Sequence, residues 1–149
     1  LSAEKQAMAD FLDGHASYFE QIADTIWEYA ELSLKEHQSA ALYCEKLREL
    51  GFTVTEKLCG IETAFCGSYG SGHPVIGILG EFDALSGLSQ KAGEPSPDPV
   101  IAGGSGHGCG HNLIAGSCSR RVELRYVGDL LYVGSIGSSS QNEPYASVE

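Results

Sequence analysis

Val75-Ile76-Gly77-Ile78-Leu79-Gly80-Glu81-Phe82-Asp83 is an apolar run that ends in two acids. The apolar part carries no charge and is rich in β-branched residues. It reads as a strand that is apolar on both faces, the pattern of a buried central strand. An acid at the end of such a strand must meet water, a cation or hydrogen-bond donors to offset its desolvation. Glu81 and Asp83 stand two positions apart, so in an extended segment they point the same way.

Upstream, Ala64-Phe65-Cys66-Gly67-Ser68-Tyr69 reads as another strand, and Gly70-Ser71-Gly72 as a turn, which predicts a hairpin from Ala64 to Gly80. Phe52-Thr53-Val54-Thr55-Glu56-Lys57-Leu58 alternates and predicts a further strand. Before these the period is helical. From Ser2 to Ala30 the residues Met8, Phe11, His15, Tyr18, Phe19, Ile22, Ile26 and Trp27 form one stripe, which predicts a single long amphipathic helix. Ser2 is its expected cap, with Glu4 in the first turn, and His15 a packed or capped core histidine. Ser33-Leu34-Lys35-Glu36 has the form of a capping box. It opens a second helix to Leu50 with Ala40, Cys44, Leu47 and Leu50 on one face and Gly51 as its stop. Cys44 is expected to be a small buried hydrophobe. Helices followed by strands imply the α/β class, a mixed β-sheet flanked by helices.

Downstream, Ser86 to Gly106 is a long loop with Pro95, Pro97 and Pro99. It joins the acids to Gly106-His107-Gly108-Cys109-Gly110-His111-Asn112, after which a helix is expected. Val122–Val127 and Leu130–Ile136 read as strands around a Gly128-Asp129 turn, and the end as a loose tail.

The chain has 149 residues and is 42% hydrophobic, enough to bury a core. Its net charge of -11 leaves no basic patch for nucleic acid or an anionic membrane surface. Five cysteines at loose spacing suggest no disulfide framework, which points to a reducing, cytoplasmic compartment. The first residues lack a signal-peptide pattern, and no apolar run approaches the roughly 20 residues of a membrane span.

Cys109 and His111 are the candidate metal ligands. Thiolate and imidazole both suit first-row transition metals, and the glycines allow a turn tight enough to bring them to one point. The competing reading is a glycine-rich loop that holds a cysteine and a histidine by chance. Two ligands are too few for tight binding, so carboxylates must join them. Asp83 is a candidate catalytic residue that accepts a hydrogen bond from a metal-bound histidine, fixing its tautomer. The alternative is a loop acid capping a backbone N–H. His107 is read as facing substrate or supporting a ligand, with a third-ligand role as the alternative, and His37 and His73 as facing solvent. Neither a phosphate loop nor a Gly-x-Ser-x-Gly elbow is present.

Ile26-Trp27-Glu28-Tyr29-Ala30-Glu31-Leu32-Ser33, Glu36, Ser39-Ala40, Gly80-Glu81-Phe82-Asp83-Ala84-Leu85 and Gly106 to Asn112 occur in this order. In this the chain resembles the cocatalytic metallopeptidase clan (clan MH). It is most similar to the amidohydrolase branch, which includes aminobenzoyl-glutamate hydrolases, amino-acid-conjugate hydrolases and aminoacylases. The resemblance spans residues 1–116 and implies the N-terminal part of a zinc-exopeptidase-like catalytic domain. It implies a two-metal site, zinc or manganese, that cleaves an amide bond to an amino acid. The implied substrates are small: an acyl-amino acid, aminobenzoyl-glutamate or a dipeptide. The complete family implies a homodimer. By match, Cys109 and His111 are metal ligands and Asp83 supports the site. Glu81 stands where the carboxypeptidase branch has a histidine ligand, and Asn112 where many relatives have Asp.

Residues 117–149 depart from the family. Ser117-Cys118-Ser119-Arg120-Arg121 replaces an apolar helix, and no Glu-Glu pair follows. In the family that pair supplies the general base and a ligand. The expectation is a truncated, spliced or frame-shifted amidohydrolase that lacks the general base, a loss of about 10²–10⁴ in rate from that group. The alternative is a catalytically dead binding or regulatory chain derived from that fold.

Overall fold

The computed structural model describes residues 2–71, 75–113 and 130–134. Three helices come first, α1 (Ala3–Gly14), α2 (Ala16–Tyr29) and α3 (His37–Glu49). Strands β1 (Thr53–Glu56), β2 (Phe65–Tyr69) and β3 (Ile76–Gly80) follow, and β4 (Leu130–Gly134) completes a sheet of order β1-β2-β4-β3. β2 is antiparallel to both β1 and β4, and β3 is parallel to β4, so the sheet is mixed. No helix among the described residues is long and apolar enough to cross a membrane.

The predicted single N-terminal helix is two. Ser2 does cap the start, its hydroxyl accepting from the Lys5 N–H at 3.4 Å. The helix breaks at His15, whose backbone lies at φ -115, ψ 9 directly after Gly14. The His15 ring is exposed rather than in the core. It stacks on Phe11 with centroids 4.0 Å apart, and its Nδ1 donates to the Phe11 carbonyl at 2.9 Å, so the side chain closes α1. A periodic stripe continues through such a break, because a one-residue kink barely shifts the spacing.

The capping box does not form either. Glu36 stands at the N-cap of α3 with no side-chain cap bond, and Ser33 Oγ is buried without a hydrogen-bond partner among the described residues. Glu31 does the capping instead. Its carboxylate accepts from the Gln38 N–H at 3.0 Å, the Ser39 N–H at 2.9 Å and the Ser39 hydroxyl at 2.8 Å. A carboxylate at this end also favours the helix dipole. At the other end Gly51, at φ +85, stops α3 as expected. The Gly51 N–H reaches Arg48 O at 3.0 Å and the Phe52 N–H reaches Leu47 O at 3.0 Å, the paired bonds of a Schellman turn.

The core lies between α2, α3 and the sheet. Ile22, Ile26, Tyr43, Leu47, Phe52, Phe65 and Phe82 are all buried in it. Tyr43, Phe65 and Phe82 form a ring cluster with centroids 5.2 to 6.3 Å apart. Gly67 in β2 admits α3: a Cβ there would lie 3.1 Å from Leu47 Cδ1 and 3.2 Å from Phe52 Cδ1. Cys44 is buried as expected, and burial pushes its thiol up to about 11.

Two strand expectations are corrected. β2 and β3 are not a hairpin, because β4 lies between them. β3 is at the edge of the described sheet, with Leu79 58% exposed, rather than central and buried. Its apolar composition is correct for a strand with both faces covered, but position in a sheet depends on which distant strand inserts beside it. Residues 122–127 and the 128–129 turn lie outside the described residues, as does His73.

The two rival caps of α3 can be separated by mutation. Glu31→Ala should lower stability by about 1–2 kcal/mol in urea unfolding at unchanged m-value, the usual cost of losing a cap. Ser33→Ala should change it by less than about 0.5 kcal/mol.

Candidate metal centre

The site forms where three segments meet: the chain after α2, the loop after β3, and the glycine-rich turn. Phe82 points into the core with no exposed surface. By alternation Glu81 and Asp83 then face the other way, toward His111. His111 Nδ1 donates to Asp83 Oδ1 at 2.7 Å, and Glu81 Oε2 lies 3.6 Å from His111 Nε2. The Asp83 side chain is almost wholly buried, His111 is 12% exposed and Glu81 32% exposed. Donor atoms of Glu81, Asp83 and His111 all lie within 4.8 Å of one another.

The chemistry of this set suits a divalent cation. Asp83 accepts from Nδ1–H, so Nε2 carries the free lone pair of His111. Asp83 Oδ2 is buried and has no hydrogen-bond partner among the described residues. A buried carboxylate short of donors is costly, and a cation held on His111 Nε2 offsets its charge across the ring. Around a tetrahedral zinc with ligand atoms at about 2.0–2.2 Å, neighbouring ligand atoms lie about 3.3–3.6 Å apart, which the 3.6 Å between Glu81 Oε2 and His111 Nε2 meets.

Of the three residues predicted from sequence, Asp83 and His111 are brought together. Cys109 sits on the exposed part of the turn and is not in the donor group. Glu81 completes that group. Its signal in the sequence was its place two residues before Asp83. His107 is buried: its Nε2 donates to the Ile26 carbonyl at 3.0 Å and its ring lies 6.2 Å from Trp27. Burial holds its pKa below the usual histidine value, offset in part by the Ile26 hydrogen bond. Asn112 is also buried and donates to the Ala23 carbonyl at 3.2 Å. Both residues tie the turn to α2, a role that sequence reading did not assign. Residue His37 is exposed, as expected.

Backbone bonds complete the junction. The Ala84 N–H donates to Glu31 O at 2.7 Å, and Leu85 and Gly106 exchange two bonds of 2.9 and 3.0 Å. The Ser105 hydroxyl bonds the Ala30 carbonyl. Gly110, at φ +72, makes the reversal between Cys109 and His111 in a region open to glycine.

Two further glycines are required for different reasons. A Cβ on Gly106 would lie 2.1 Å from the backbone oxygen of Leu88, whereas one on Gly108 would lie 2.4 Å from the Leu88 Cδ1 methyl. Backbone cannot yield there as a side chain can. Gly106→Ala should therefore destabilise the chain by several kcal/mol, while Gly108→Ala should cost about 1 kcal/mol or less after Leu88 changes rotamer, both read by urea unfolding.

No protein-family profile matches the chain. It is 46% identical over 105 residues to a subunit of the p-aminobenzoyl-glutamate hydrolase of Escherichia coli (strain K12), covering 70% of this chain and 22% of that protein. Its fold matches the YXEP protein of Bacillus subtilis, a dinuclear metal-binding peptidase from the M20 family, at TM-score 0.65 and 18% identity. That match covers 82% of this chain and 35% of the peptidase. A protein of methicillin-resistant Staphylococcus aureus assigned to the aminohydrolases matches at TM-score 0.67 and 20% identity, over 87% of this chain and 34% of its own. The chain thus spans about a fifth of the length of the curated relative and about a third of these structures. The chain is thus similar in sequence to part of a p-aminobenzoyl-glutamate hydrolase subunit, and its fold matches part of these solved structures.

Proposed function

We propose that the chain carries part of the active site of a metal-dependent amidohydrolase that cleaves an amide bond to an amino acid. The substrate class is an N-acyl-amino acid, aminobenzoyl-glutamate or a dipeptide, and the metal is zinc or manganese. The observation that carries this reading is the convergence of Glu81, Asp83 and His111, in a chain 46% identical over 105 residues to part of a hydrolase. When bound, a divalent ion supplies Lewis-acid polarisation of an amide carbonyl and makes water a stronger acid.

The chain's own residues prepare that chemistry. Asp83 holds His111 in the Nδ1–H tautomer and makes Nε2 a better donor. Glu81, the most exposed of the three, is placed to ligate from the solvent side or to take up a proton from water. Cys109, on the exposed part of the turn two residues before His111, is the further candidate ligand. Residues 1–116 form the matching unit and 117–149 a divergent segment. The four described cysteines are free, which supports a reducing, cytoplasmic compartment.

A second reading is favoured by one observation: among the described residues the donor group holds three side chains, and Cys109 is outside it. On that reading the chain binds metal or a partner but does not turn over substrate.

Two measurements decide. Calorimetric titration should show tight zinc or manganese binding, weakened roughly 10–100-fold in Asp83→Asn, the usual effect of removing a carboxylate behind a ligating histidine. Absence of metal binding overturns the hydrolase reading. The metal-loaded chain should also release amino acid from aminobenzoyl-glutamate, an N-acetyl-amino acid or a dipeptide, and lose that activity in chelator and in His111→Ala. Metal binding without release of amino acid from any of the three selects the second reading.

A further inference from the structure

A cleft of about 200 Å³ lies beside the end of α2, lined by Trp27 and Glu28 on the helix and by Val100 and Ile101 on the long loop. Glu81, Asp83 and His111 are not among its lining residues. The polar side chains in its wall already hold the wall together. Ser89 Oγ accepts from the Ile101 N–H at 3.0 Å, and Ser105 bonds the Ala30 carbonyl. Gln90 donates to the carbonyls of Glu94 and Ser96 at 3.3 and 2.8 Å and accepts from the Asp98 N–H at 3.0 Å. Lys91 and Asp98 close the same loop with a 2.7 Å ion pair.

Once these groups are committed, a ligand meets apolar surface, one indole and one carboxylate. Val100 and Ile101 are 65% and 67% exposed, so their apolar surface is uncovered. Glu28 is exposed and has no ion pair among the described residues. An apolar wall, an aromatic ring and an acid together recognise an organic cation, by burial of its body and by cation–π and charge attraction at its head. The net charge of -11 raises the local concentration of cations and repels anions. The volume is sufficient for one aromatic ring, since cavities of about 150 Å³ hold benzene. The loop is cross-linked by its own hydrogen bonds, so the cleft exists before a ligand arrives.

We propose that this cleft binds a small free amine, an ammonium ion on an apolar body of about one aromatic ring. Trp27 is the only tryptophan in the chain, so its fluorescence reads the cleft directly. The full chain is titrated at low salt and neutral pH with benzylamine, benzyl alcohol and benzoate. Benzylamine should give a saturable change, with benzyl alcohol about threefold to tenfold weaker and benzoate weaker still. In Glu28→Gln the amine's advantage over the alcohol should shrink at least about twofold, with the alcohol unchanged. Ile101→Ser should weaken both, and circular dichroism checks that each variant is folded. Equal affinity for amine and alcohol in the native chain overturns the proposal. So does an amine preference undiminished in Glu28→Gln, or no saturable response at all.

Discussion

The end of α2 supplies the constraint on which the site depends. A helix leaves its last carbonyls without partners inside the helix, and burying them unsatisfied is costly. Here the chain turns at Ala30, at φ 44; the carbonyls of Ala30 and Glu31 accept from Ser105 and Ala84, and His107 adds a second bond to the Ile26 carbonyl, which already accepts from the Ala30 N–H. Ser105, Ala84 and His107 are far away in sequence and belong to the two segments that carry Asp83 and His111. Satisfying one helix end therefore brings an acid and an imidazole within 2.7 Å.

Glu31 extends the same logic in the other direction. Its carbonyl holds the loop after β3 while its carboxylate caps α3. One residue thus links the helix that builds the core to the loop that carries the donors. The core takes Phe82 from that loop, and the alternation of an extended segment sends its two acidic neighbours to the other side. The site's precision comes from backbone hydrogen bonds around it. Its rigidity comes from the packing of Tyr43, Phe65 and Phe82 beneath it.

The glycine-rich turn shows why a short motif is legible while its neighbours are not. Gly106 is glycine because the Leu88 backbone passes against it, and Gly110 because the chain reverses with positive φ. The first reason lies in a residue of the preceding loop and leaves no mark within the motif. His107 and Asn112 likewise look like candidate site residues in sequence, yet their contacts are hydrogen bonds to α2. The stripe from Met8 to Trp27 hid a break at His15, and Ser33 to Glu36 matched a capping pattern that a more distant acid fulfils. In each case local spacing agreed with two structures, and a long-range contact chose between them.

Sequence alone determined the class of elements and their chemistry. Helical spacing before Gly51, alternation after it, the Gly51 stop, and acids closing an apolar strand all follow from side-chain periodicity and backbone sterics, which are local. Tertiary structure alone decided the place of β4 between β2 and β3, the exposure of β3, the cap on α3 and the composition of the donor group. These depend on pairings between residues far apart in the chain. No local pattern encodes such a pairing, because a hydrogen-bond acceptor is satisfied equally well by a donor from any segment that can reach it.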